Sequence, residues 1–234
     1  MFPRTRWTIV RHAQGEDPDA SFDALTALCQ TYWPPLYAFV RRTGASAHDA
    51  QDLTQAFFTR LLEKDHLATA GEEKGKLRSF LLVMMKRFMA NEWERSQAQK
   101  RGGSVAHVSI DQEFGEAQFK LEPAHEDTPE HAFDRLWAMT LLDNVLKTLE
   151  AEYEKSGRLR TFEALKDSLS WRSGDTSYVE IAGQLECTEG AVKAAVHRMR
   201  KRYRKLLEEA IADTVDDEAA VQEELQYLVS VFQQ

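Results

Sequence analysis

Apolar side chains recur every three or four residues along most of the chain, the spacing of helices that each bury one face. The first such run, Phe22 to Val40, places Phe22, Leu25, Leu28, Tyr32, Leu36 and Phe39 on one side. Pro34 and Pro35 are expected to kink this helix or split it in two, since each removes a backbone donor. Thr43-Gly44 reads as a stop, and Ser46 as the N-cap of a second helix over about Ala47–Lys64, with Asp49 in its first turn. After a polar loop, a third helix is predicted from about Lys76 to Gln99, ending before Gly102-Gly103.

Residues 102–129 show no sustained period; Gly115, Pro123 and Pro129 are scattered among acids, the mark of a flexible acidic linker with at most a short strand at Val105–Ile110. Helical patterning resumes at about Glu130 and runs to Tyr153, with Phe133, Leu136, Trp137, Leu141, Val145 and Leu149 on one face. A helix over about Leu159–Leu169 follows. The pattern predicts an all-α protein of two helical domains, residues 1–101 and 130–206, joined by the linker. In residues 207–234 an amphipathic helix carries Val221, Leu225, Leu228 and Phe232 at i, i+4, i+7 and i+11, and is expected to pack on the second domain.

Composition narrows the class. With 234 residues, 43% hydrophobic and 29% charged, the chain belongs with folded proteins rather than disordered tails or membrane spans. Cys29 and Cys187 are the only cysteines, too few for a disulfide framework or a cysteine-rich zinc site. No signal-length apolar run opens the sequence, so a cytoplasmic setting without membrane attachment is expected. A formal net charge of −8 argues, taken alone, against a nucleic-acid partner.

The distribution of charge reverses that inference. Residues 76–101 hold seven basic and two acidic side chains, and residues 189–205 hold seven and one. Residues 206–234 hold eight acids and no base. The acidic total therefore hides two compact basic blocks, each on a helix-patterned stretch.

The second block sits in a helix-turn-helix pattern. Ser177 and Glu180 form a capping box that opens a short helix with Val179, Ile181, Ala182 and Leu185 inward. Glu186-Cys187 makes the turn, and Thr188 caps a second helix with Val192, Ala195, Val196 and Met199 inward. Ala182 and Gly183 are small enough for a close helix crossing. The second helix carries Lys193 and His197 as well, and its first turn, Thr188 and Glu189, would enter a major groove. Its basic remainder, including Arg198, Arg200, Lys201 and Arg204, would hold phosphates.

Tyr178, Glu180-Ile181-Ala182, Leu185, Gly190-Ala191-Val192-Lys193 and Val196-His197-Arg198-Met199-Arg200 resemble the promoter-reading domain of bacterial sigma factors of the extracytoplasmic-function type. Ala194-Ala195 stands where that family usually has Ser-Arg, so one polar DNA contact is missing. His48 to Leu62 is similar to the helix with which sigma factors grip the polymerase core, and Leu77 through Asn91-Glu92 to the helix that captures the minus-ten strand. Arg87 stands where the family often has Asn.

The resemblance covers roughly residues 20–101 and 131–206. It implies a transcription initiation factor whose partners are core RNA polymerase and promoter DNA, with no cofactor, no metal and no catalytic residues. It assigns core binding to Asp49, Asp52, Gln55, Thr59 and Glu63. The minus-ten strand falls to Lys76, Arg78, Lys86, Arg87, Asn91 and Arg95.

The chemistry of the third helix agrees independently, because an unpaired strand needs a cationic track and faces for its bases. Phe80, Phe88 and Trp93 are the aromatic candidates, with Phe80 and Phe88 weighted toward core contacts by the stripe they share with Leu77, Leu81 and Met84. The core-binding helix is short of acid, with Gln51 and Ala56 where the family often has Glu or Asp. At about 100° per residue Thr59 faces away from Leu53, Phe57 and Leu61 and lies near Asp52, Ala56 and Glu63. Some sigma factors resembling this one are activated by threonine phosphorylation in this helix, which makes Thr59, and after it Thr54, candidate targets of a Ser/Thr kinase. An anti-sigma protein is the other regulatory partner the resemblance implies.

Enzyme motifs are missing from the sequence: no glycine-rich phosphate loop, paired-histidine zinc motif or nucleophile elbow. The competing function is a helix-turn-helix regulator that binds duplex DNA without polymerase. The −8 tail adds one more expectation, a shield over the basic reading helix.

Overall fold

The computed structural model describes residues 18–63, 76–99, 128–169, 177–215 and 217–233. Among them are eight α-helices, one 3-10 turn and no strand, so the all-α expectation holds. In chain order α1 is Pro18–Arg42, α2 Ala47–Glu63, α3 Leu77–Gln99, α4 Pro129–Lys155, α5 Leu159–Leu165, α6 Tyr178–Gln184, α7 Glu189–Ala212 and α8 Glu218–Val231, with the 3-10 turn at Lys166–Leu169 after α5. No helix among the described residues is long and apolar enough to cross a membrane. The expected strand at 105–110 lies outside the described residues.

Two compact units divide the chain differently from the pattern-based boundaries. One comprises the chain up to Thr140 together with Ile211–Gln234; the other is Leu141–Ala210. The first domain thus takes in the opening turns of α4 and the whole of α8.

In the first unit, α1 runs unbroken through Pro34 and Pro35. Of the expected kink or split, the split does not occur, because every residue from Tyr32 to Val40 is buried. An internal proline costs about 3 kcal/mol, while each large apolar side chain buried in that stretch returns about 1.5–3 kcal/mol. Thr43 and Gly44 end the helix, Gly44 at φ +97°, a backbone state that suits a residue without Cβ. Ser46 caps α2 as expected: the Asp49 N–H donates to its Oγ at 3.1 Å, and its hydroxyl donates to the Asp49 carboxylate at 2.7 Å.

Aromatic packing fixes α1, α2 and α3 together. Trp33 stacks on Phe58 at 5.6 Å, and Phe57 meets Phe88 edge-on at 5.8 Å. Leu81 and Met85 of α3 and Phe133, Leu136 and Trp137 of α4 complete this core.

The tail helix also belongs here, not to the second unit. Its buried residues are Val221, Glu224, Leu228 and Val231, while Leu225 is half-buried and Phe232 exposed. The apolar stripe alone indicates Val221, Leu225, Leu228 and Phe232. The observed face is rotated so that Glu224 points inward, because its carboxylate meets Arg78 and Lys76.

In the second unit the later turns of α4 bury Leu141, Val145 and Leu149, with Phe162 and Leu165 of α5 and Val192, Val196 and Met199 of α7 also in the core. Arg202 grips both Glu152 carboxylate oxygens, and the Tyr203 hydroxyl donates to the Leu142 carbonyl at 3.3 Å. Burial, reinforced by the nearby Asp143 charge, pushes the Tyr203 phenol up to about 12.

A phenol raised in the folded state stabilises the fold fully below its unfolded value of about 10 and loses that contribution as pH rises through the folded one. Thermal melts at increasing pH should therefore show Tm falling between about 10 and about 12, and Tyr203→Phe should make that fall shallower.

Candidate nucleic-acid interface

Helix α3 carries the first basic block and divides it into buried and exposed parts. Arg78, in the first turn, is buried, at 9% exposure. Its guanidinium donates to both oxygens of Glu224 and, at 2.9 Å, to Asp134 Oδ1. It also lies over the Tyr227 ring at 4.0 Å and the Trp137 ring at 5.1 Å. Burial pulls the Arg78 pKa down, but the bonds to Glu224 and the Asp134 charge outweigh it and hold the group above its ordinary value. The Tyr227 hydroxyl donates to Asp134 Oδ2 at 2.6 Å and closes the network.

Arg78 is therefore an internally paired ion in this state, with Glu224 and Asp134 on the guanidinium that was expected to meet the promoter strand. Half-buried Lys76 joins the same cluster, 2.9 Å from Glu224 Oε2.

Further along α3 the picture changes. Lys86, Arg87, Asn91 and Arg95 are all exposed. Lys86 pairs with Glu130 at 2.7 Å and holds that carboxyl below the usual range; Arg95 pairs with Glu92 at 2.7 Å. Trp93 is 65% exposed and presents the largest aromatic surface on the helix. Phe88 is buried against Phe57, as its stripe implied, and Phe80 is half-buried. A cationic outer face with one open indole is suited to a phosphate backbone and an unstacked base.

On α2, Asp49 and Thr59 are exposed, and Asp52 and Gln55 half-buried. Thr59 Oγ1 donates only to the Gln55 carbonyl of the preceding turn, at 3.0 Å, leaving the hydroxyl on the surface. Thr54 is fully buried with its hydroxyl on the Ala50 carbonyl at 2.7 Å, so of the two threonines only Thr59 offers its hydroxyl at the surface. Gln51 is buried too, so a carboxylate there would sit in the core rather than add to the acidic face. Glu63 closes the helix.

In the second unit, Ser177 accepts the Glu180 N–H and Thr188 accepts the Ala191 N–H at 3.2 Å, which places both helix starts where the caps predicted. Between them Glu186 adopts φ +53° and the Cys187 N–H returns to the Ala182 carbonyl at 3.0 Å, making the tight turn. Ile181 and Ala182 face inward. Val179, expected inward, is 67% exposed, since it lies about 160° around α6 from Ile181. Gly183 is exposed with nothing within 4 Å of a Cβ placed on it, so the helix crossing does not depend on it.

The basic residues of α7 also split. Arg200 donates twice to the Ser168 carbonyl, at 2.7 and 3.1 Å, satisfying the end of the 3-10 turn, so like Arg78 it serves the fold in this structure. Lys193, His197, Lys201 and Arg204 share the face opposite Val192, Val196 and Met199, and all four are exposed, with Arg198 beside them. Lys193 pairs with Glu189 at 2.6 Å and Arg204 with Glu208 at 2.9 Å. Glu224, Asp134 and Tyr227 were missed by sequence reasoning; the only signal was an acid at the i+3 position of the tail's apolar stripe.

Residues 28–99 match the protein family Sigma-70 region 2, and the chain contains that domain. The match spans α1 from Leu28, α2 and α3. No curated protein and no solved structure matches the chain.

Substituting the two kinds of α7 cation should separate stability from binding. Arg200→Ala is expected to destabilise the second unit by about 1–3 kcal/mol in denaturant titrations, by stranding a buried carbonyl. Lys201→Ala should leave the unfolding midpoint within about 0.5 kcal/mol while lowering the slope of log affinity for duplex DNA against log salt by about 1.

Proposed function

We propose that this protein is a transcription initiation factor of the extracytoplasmic-function type, which binds core RNA polymerase and directs it to promoters. The Sigma-70 region 2 match over α1–α3 carries this reading, since that domain supports a sigma-factor role with polymerase and promoter DNA as partners. On this reading the outer face of α2, with Asp49, Asp52 and Gln55, meets the core enzyme. The exposed stretch of α3, with Lys86, Arg87, Asn91, Trp93 and Arg95, holds the melted minus-ten strand.

The α6–turn–α7 segment acts as a helix-turn-helix on the minus-thirty-five element, with Lys193 and His197 toward base edges and Arg198, Lys201 and Arg204 on phosphates. These are binding tasks, and no residue is assigned a catalytic step. The protein works in the cytoplasm, where its polymerase partner is.

Of the two candidate regulators, a Ser/Thr kinase is favoured over an anti-sigma protein by the position of Thr59, exposed on the face that Asp49 and Asp52 share. Phosphorylation there adds nearly two negative charges to an acid-poor contact surface.

Reconstitution tests the assignment directly. The protein with core polymerase should give run-off transcripts from promoters near its own gene, and should bind those promoters specifically only in that complex. Tight, specific duplex binding by the free protein, with no polymerase association, would instead identify a helix-turn-helix regulator. Within the same assay Thr59→Glu should bind core at least as well as kinase-treated wild type, and Thr59→Ala should lose the response to the kinase. Equal core binding by both variants would remove phosphorylation from the scheme.

A further inference from the structure

The first unit contains a cation seat that is already filled by the chain's own acidic tail. Lys76 and Arg78 stand together at the start of α3, and Glu224 of α8 occupies both, its Oε2 2.9 Å from Lys76 Nζ and its two oxygens bonded to Arg78. Glu224 is itself 1% exposed. Glu223 adds a longer contact to Lys76 at 3.8 Å, and the connector before α8 accepts the Leu77 N–H on the Thr214 carbonyl at 3.0 Å.

We infer that α8 is an intramolecular stand-in for a nucleic-acid phosphate, covering the first turn of α3 until the promoter strand displaces it. The inference rests on the reading of α3 as a strand-binding helix. A carboxylate that engages a guanidinium through both oxygens and an ammonium through one offers the same paired acceptor oxygens as a phosphodiester, and Arg forks bind either group.

Three features make the cover removable rather than a fixed wall. Asp134 stays with Arg78 when α8 leaves, so the buried guanidinium is never left without a carboxylate. The cover is a single helix of 14 residues. Below about 12–15 residues helices are marginal on their own, so α8 owes its order to docking. Finally, Glu218, Glu223 and Glu224 are its only charged residues, so α8 repels an incoming strand while docked and cannot bind alongside it.

Hydrogen exchange on the unmodified full chain decides the matter. Saturation with a short AT-rich single-stranded oligodeoxynucleotide at low salt should speed exchange across residues 217–231, because ligands that compete for one seat weaken each other reciprocally. Glu224→Gln, which keeps the volume and removes the charge, should raise affinity for the same oligonucleotide roughly tenfold by enlarging the open fraction. Adding Lys76→Ala should take that gain away.

If the oligonucleotide binds while α8 keeps or increases its protection, α8 is a permanent part of the fold and the inference is overturned, with the strand-binding role intact. A folded Glu224→Gln protein of unchanged or weaker affinity overturns it equally. Should that variant fail to fold, the exchange measurement on wild type decides alone. If neither oligonucleotide nor core polymerase binds, the sigma-factor reading fails and takes this inference with it.

Discussion

A guanidinium buried in the first unit sets the terms for everything around it. Arg78 cannot leave water unaccompanied: removing one partner from a buried ion pair typically costs about 3–5 kcal/mol. Its partners lie 56 and 146 residues away along the chain, on α4 and α8. Satisfying one side chain therefore obliges three distant segments to meet. The composition of the first unit follows, including the opening turns of α4 and the tail helix, neither of which a domain boundary drawn by pattern assigns to it. Two cations, Lys76 and Arg78, face two buried acids, Asp134 and Glu224, so the cluster closes without net charge.

The same constraint divides labour within each basic helix. On α3 the first turn is bound into the fold, the middle packs Leu81, Met85 and Phe88, and the outer face of the later turns keeps Arg87, Asn91 and Trp93 toward solvent. On α7, Arg200 and Arg202 serve a carbonyl and a carboxylate of their own unit, while His197, Arg198 and Lys201 point outward. A block of seven basic residues is thus two populations with different physics. Buried or carbonyl-bound cations position the helix; exposed ones are what a phosphate backbone can meet, and only they contribute counterion release.

Local signals are legible in the sequence because they act over a few residues. Ser46, Ser177 and Thr188 cap the helices they are expected to cap, Gly44 takes the left-handed turn, and Thr59 lies on the surface as helical geometry requires. What escapes depends on partners far along the chain. Nothing near Arg78 distinguishes it from Arg87, and one is buried while the other is exposed. Glu224 interrupts an apolar stripe, so counting hydrophobic residues turns the tail helix toward the wrong face. Pro34 and Pro35 look like breakers because their local cost is visible and the burial of Tyr32 to Val40 that offsets it is not.

The acidity of the chain takes its meaning from this arrangement. An acidic tail following a basic helix invites the idea that one screens the other, and sequence proximity points to α7. Glu224 instead lies against α3, in the same buried cluster as Asp134, so tail charge goes into neutralising cations of the region 2 domain. Net charge and even segment charge are then poor guides to how many cations the protein presents to a phosphate backbone. What counts is how many cations remain outward after internal carboxylates and carbonyls have taken theirs, and that number can rise only if an internal acid lets go.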